Sequence, residues 1–71
     1  MEYVVVKCSE GRGVLVDEQV NGQTNETLRL SAGKHTFSLE GEKNFTPEDI
    51  TEIISDTSVI DPHVINFEML S

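Results

Sequence analysis

The sequence predicts an all-β domain, a small antiparallel β-sandwich of about six short strands. Three observations predict it. His35 to Glu40 and His63 to Met69 alternate apolar and polar side chains with period two. Turn-forming Gly, Asn, Ser and Pro recur between short apolar stretches from end to end. The one stretch with helical spacing, Pro47 to Ser55, is about two turns long, too short to hold itself up as an isolated helix.

Tyr3-Val4-Val5-Val6-Lys7-Cys8 is β-branched and aromatic with a charge only near its end, and reads as a strand covered on both faces or paired at a subunit contact. Ser9 to Gly13 turns the chain, and Val14-Leu15-Val16-Asp17 returns as the second arm of a hairpin. Glu18 to Asn25 is polar and holds Asn21-Gly22, a dipeptide suited to a turn that needs positive φ. In Thr27-Leu28-Arg29-Leu30, alternation sets Leu28 and Leu30 on one face and Arg29 on the other. His35, Phe37 and Leu39 then share a face against Thr36, Ser38 and Glu40, and Ile65, Phe67 and Met69 share one against Val64, Asn66 and Glu68. Pro62 stands where a strand needs no ladder donor. This register predicts a core of Val4, Val6, Val14, Val16, Leu28, Leu30, Phe37, Leu39, Phe45, Ile65 and Phe67.

Pro47 to Ser55 supports two readings. Thr46 as N-cap, Pro47 at N1, Glu48 and Asp49 in the first turn, and Ile50, Ile53 and Ile54 at helical spacing describe a short helix. Four of the five residues from Ile50 to Ile54 are β-branched, which suits an extended chain packed on a sheet.

Seventy-one residues without linker, repeat or low-complexity stretch form one domain, residues 1–71. A chain of this size buries only about 62% of its unfolded surface, which leaves little room for an enclosed active site. Five Lys plus Arg against thirteen Asp plus Glu, a formal charge of −8, argue against nucleic acid and anionic membranes, both of which must be met by cations. The longest apolar run is Val4-Val5-Val6, so membrane insertion is not expected. The absent leader and single Cys suit the cytoplasm if the chain is complete; a chain excised from a longer secreted protein belongs to the cell envelope.

Cys8, His35 and His63 are the candidates for chemistry, as a nucleophile with a base or as zinc ligands. No pair among them has zinc-type spacing, and Cys8 lies in step with Val4 and Val6, where a free thiol behaves as a small buried hydrophobe. Asp56, Asp61 and Glu68 lack the run of a calcium loop. Gly11-Arg12-Gly13 and Gly33-Lys34 read as turns, because Lys34 leads into a strand and not into a helix start. No catalytic, cofactor-binding or metal residue is assigned.

Val14-Leu15-Val16-Asp17, then Gly22-Gln23-Thr24, then Leu28 to Leu30 and Gly33-Lys34-His35 before a further alternating strand resemble the pattern of PEGA-type domains. Glu18 stands where that pattern has Gly after Val-Asp, Asn25 where it has Pro after Gly-x-Thr, and Ser31-Ala32 where it has a Pro-containing pair. Phe45-Thr46-Pro47 and Ile65-Asn66-Phe67 are similar to the ends of transthyretin-like and carboxypeptidase-regulatory-like modules. The resemblance implies an immunoglobulin-like or prealbumin-like sandwich without catalytic residues, an accessory or surface module of bacteria, and a strand over Ile50 to Ser55. The expected function is a non-enzymatic binding or structural module that contacts a protein or cell-surface polymer through a sheet edge or through the turns at Glu18 to Asn25 and Gly41 to Asn44. The alternatives are a small acidic regulator or inhibitor of an enzyme, and a metal- or thiol-active protein using Cys8, His35 and His63. The apolar faces of Tyr3 to Val6 add the expectation of a homodimer through that strand.

Overall fold

In the computed structural model, which describes residues 1–70, the chain is all-β and contains no helix among the described residues. Nine strands run in the order β1 (Glu2–Lys7), β2 (Gly13–Val16), β3 (Gln19–Gln23), β4 (Thr27–Leu30), β5 (Gly33–Leu39), β6 (Phe45–Thr46), β7 (Ile50–Ile54), β8 (His63–Asn66) and β9 (Glu68–Met69). They form a three-stranded sheet β4-β1-β8, a four-stranded sheet β3-β2-β5-β7 and a two-stranded clip β6-β9. Period-two alternation sends Val4, Val6, Leu28, Leu30 and Ile65 inward from the first sheet, and Val14, Val16, Phe37, Leu39 and Ile54 inward from the second. At the clip, Phe45 and Phe67 meet edge to face with ring centroids 5.6 Å apart. The molecule measures 34 × 21 × 16 Å, so its core is a single layer of interdigitated side chains.

All eleven residues of the expected core are buried, and Ile54 and Cys8 join them. The stretch with two readings is a strand: β7 pairs antiparallel with β5, placing Glu52 opposite His35. Buried Ile54 and part-buried Ile50 and Glu52 face inward, while Thr51 and Ile53 face out. Here β-branching prevails over helical spacing because the strand packs on a finished sheet.

The expected hairpin of β1 and β2 does not form, because β1 pairs with β4 and β8 in one sheet and β2 with β3 and β5 in the other. Four further details differ from expectation. Glu18 to Asn25 is not one turn. The reversal between β2 and β3 is Asp17-Glu18, both at positive φ (52° and 70°), with Val16 and Gln19 paired on either side. Asn21-Gly22 instead lies inside β3, where the register slips between the pairs Gly13–Gln23 and Leu15–Val20 and Gly22 takes φ 96°. Second, His63 to Met69 is not one strand: after Asn66 the chain leaves the first sheet, and β9 pairs with β6. Third, β8 runs parallel to β1, with Val4 opposite His63 and Val6 opposite Ile65, in an otherwise antiparallel fold. Fourth, β1 is the central strand of its sheet, so Tyr3 to Val6 offers no free ladder for a homodimer; β4 and β8 already occupy both edges.

Candidate functional site

The three residues singled out for chemistry are each placed with different partners. Cys8 follows β1 and is buried, its thiol pointing at Met69 Sδ 3.2 Å away. The Asn25 carboxamide holds its backbone, donating from Nδ2 to the Cys8 carbonyl at 2.9 Å and accepting from the Cys8 amide at 3.3 Å. Asn25 thus extends the ladder past the end of β1, and its positive φ of 64° is one that Asn tolerates. No base touches the thiol, so nothing activates it as a nucleophile.

His35 sits on the inward face of β5 at one end of the sandwich. Its Nδ1 lies 2.6 Å from Asp17 Oδ2 and its Nε2 lies 2.7 Å from the Ser31 carbonyl oxygen. A carbonyl and a carboxylate can only accept, so both ring nitrogens must donate, and the contact set describes an imidazolium. Burial opposes that charge, but the hydrogen bonds to Asp17 and to the Ser31 carbonyl outweigh it and raise the His35 pKa above its ordinary value. The Asp17 carboxyl is held below its own ordinary value, first by the Thr36 amide that donates to Oδ1 at 3.0 Å and then by His35. A cleft of about 350 Å³ opens beside this group between the β2–β3 turn and Ser31. With both nitrogens engaged, His35 brings neither a free base nor a metal ligand to it.

His63, at the start of β8, bonds through Nε2 to Glu52 Oε1, which ties the edge strands β7 and β8 of the two sheets together. Because Glu52 is also the cross-strand neighbour of His35, Asp17, His35, Glu52 and His63 lie along one end of the sandwich as two separate bonded pairs. Among the described residues no three His, Cys, Asp or Glu side chains gather as metal ligands. Cys8, His35 and His63 are therefore not assembled into one centre, nor are Asp56, Asp61 and Glu68.

Arg12 is a residue whose role spacing did not reveal. Nη1 donates to the carbonyls of Glu40 (3.2 Å) and Glu42 (2.7 Å), Nη2 to Asn44 Oδ1 (2.7 Å), and Nε to Glu10 Oε2 (3.0 Å), while the guanidinium carbon stands 5.8 Å from the Phe45 ring centroid. This shapes the Gly41–Asn44 turn from inside and leaves the guanidinium committed to the fold. Thr24, the last residue of Gly22-Gln23-Thr24, is buried. Its hydroxyl donates to the Glu10 carbonyl and accepts from the Arg12 amide, both at 3.1 Å, and so closes the Ser9–Gly13 turn.

Large apolar side chains left in water include Val20 on β3, which lines the cleft beside His35, Ile53 on β7, Val64 on β8, Val59 with Ile60 in the β7–β8 connection, and Met1 and Leu70. Comparison with protein-family models, curated proteins and solved structures returns no match.

Proposed function

We propose that this chain is a non-enzymatic binding or structural module of the bacterial PEGA kind, contacting a partner protein or a cell-surface polymer through its surface. One observation carries the reading. The side chains able to do chemistry hold the fold together, with Cys8 against Met69, His35 between Asp17 and Ser31, His63 on Glu52 and Arg12 on the Gly41–Asn44 turn. Large apolar side chains, meanwhile, stand exposed on an edge strand and a turn. The open flank of β7 supports contact at a sheet edge, since its outer ladder groups are unpaired within the sheet and Ile53 beside them is 72% exposed.

The test crosslinks the protein to its partner in cells that make it and compares two sets of variants against that partner, each checked for fold by circular dichroism. Cys8→Ala, His35→Gln and His63→Gln should retain binding, and Thr51→Pro or Ile53→Lys on β7 should weaken it. Loss of binding in a folded Cys8, His35 or His63 variant, with the β7 variants unaffected, would overturn the reading in favour of a thiol or metal centre.

A further inference from the structure

The connection between β7 and β8 folds back on itself at Ser58 to Asp61. The Ser58 amide donates to the Asp61 carbonyl at 3.2 Å, and the Asp61 amide donates to the Ser58 carbonyl and to Ser58 Oγ, each at 3.1 Å. Those reciprocal bonds close a two-residue tip made of Val59 and Ile60, which are 64% and 94% exposed. Turn tips favour Gly, Pro, Asn and Asp, because those side chains accept the required dihedrals or satisfy the backbone locally. Two β-branched apolar residues do neither, and at this exposure they add nothing to the core.

The tip is also braced from behind. Thr57 donates to Glu2 Oε1 from its amide (2.9 Å) and from its hydroxyl (2.7 Å), and the Tyr3 amide donates to Thr57 Oγ1 at 2.7 Å, which roots the connection on β1. A rooted loop loses little freedom when a partner takes hold of it. Exposed Asp56 and Asp61 flank the apolar pair.

We infer that Val59 and Ile60 form a preshaped apolar plug that enters an apolar socket, rimmed by Lys or Arg, on a partner protein. The inference rests on the module reading above and names the surface and partner that reading leaves open. Charge selects the occupant. The two flanking aspartates and the chain's −8 charge disfavour both an anionic lipid surface and a second copy of this chain. A basic rim around an apolar pocket satisfies both features of the tip.

The test places p-benzoylphenylalanine in place of Ile60, and separately of Ile53 and Val20, in cells that make the protein. The captured partner is then purified and titrated with wild type, Ile60→Asp and the Asp56→Asn/Asp61→Asn double variant. The expected result is an adduct from position 60, affinity weakened about tenfold or more by Ile60→Asp, and a shallower salt dependence in the double variant. An adduct from position 53 without one from 60, or an Ile60→Asp affinity within about twofold of wild type, overturns the plug and leaves the module reading standing. No adduct from any position sinks both. Self-association lost in Ile60→Asp, or binding to vesicles of mixed phosphatidylcholine and phosphatidylglycerol, overturns the plug in favour of a second copy or a membrane.

Discussion

His35 on β5 and Asp17 in the β2–β3 turn are joined by a 2.6 Å contact, and the second ring nitrogen of His35 is taken by the Ser31 carbonyl at 2.7 Å. One imidazole therefore fastens the turn after β2 to the connection between β4 and β5. Only its doubly protonated form can donate to both.

That linkage makes stability depend on pH in a defined direction. His35, raised above its ordinary 6.5, adds stability that is complete below about pH 6.5 and disappears as pH rises through its folded-state value. Asp17, depressed below its ordinary 3.8, adds stability that is complete above pH 3.8 and disappears as pH falls through its own folded-state value. Both contributions are present together between these limits. Glu52, the cross-strand neighbour, is bonded to His63 instead. The Tm difference between wild type and His35→Gln should be largest between roughly pH 4 and 6.5 and shrink toward pH 9. A difference that stays constant from pH 6 to pH 9 contradicts the imidazolium.

Arg12 gives a second prediction. Its side chain is 13% exposed and supplies planar, divergent donors to two carbonyls and an amide oxygen of one turn, so Arg12→Ala leaves those acceptors without partners and uncovers Phe45. The expected cost is about 2–3 kcal/mol in urea unfolding. Arg12→Lys should recover less than half of it, since one ammonium cannot reach all three acceptors with the fork's geometry. Full rescue by Lys would show that charge alone is needed.

Two turn substitutions should act in opposite directions. Glu18 is exposed at φ 70°, where a side chain costs roughly 1 kcal/mol, so Glu18→Gly should stabilise by up to about that amount and raise Tm by several degrees. Gly22 at φ 96° faces Leu28, and a Cβ there would stand 2.4 Å from Leu28 Cδ2; Gly22→Ala should destabilise by about 1–3 kcal/mol. Thermal melts of the two variants against wild type decide both.

These substitutions also show what the sequence could and could not disclose. Alternation around His35 to Leu39 and Thr27 to Leu30 was legible because a strand with one wet face writes its burial into every second residue. β3 was not, because Gln19 to Gln23 is a polar edge strand whose faces do not differ, and its Asn21-Gly22 bulge carries the same letters as a hairpin turn. The parallel β1–β8 pair joins residues some sixty positions apart and leaves no local trace. Arg12 looked like part of a glycine turn because its acceptors are backbone carbonyls from Glu40 and Glu42, and carbonyls have no sequence signature. The apolar tip was hidden for a similar reason: the reciprocal bonds between the Ser58 and Asp61 backbones that turn Val59-Ile60 outward have no sequence signature either.

The surroundings of Cys8 support a last prediction, on the thiol. Packed against Met69 and with its backbone held by Asn25, Cys8 meets a thiol reagent only when the β1 end or the β6-β9 clip opens. Ellman's reagent should react with the folded protein far more slowly than with free cysteine, at a rate that climbs with urea in step with unfolding. Cys8→Ala should cost about 1 kcal/mol for the lost sulfur contact, and Cys8→Ser roughly 1–3 kcal/mol, because a hydroxyl facing a thioether loses water without gaining an equal partner. If the folded thiol instead reacts as fast as free cysteine, Cys8 is accessible, and a thiol-based activity again competes with the binding-module reading.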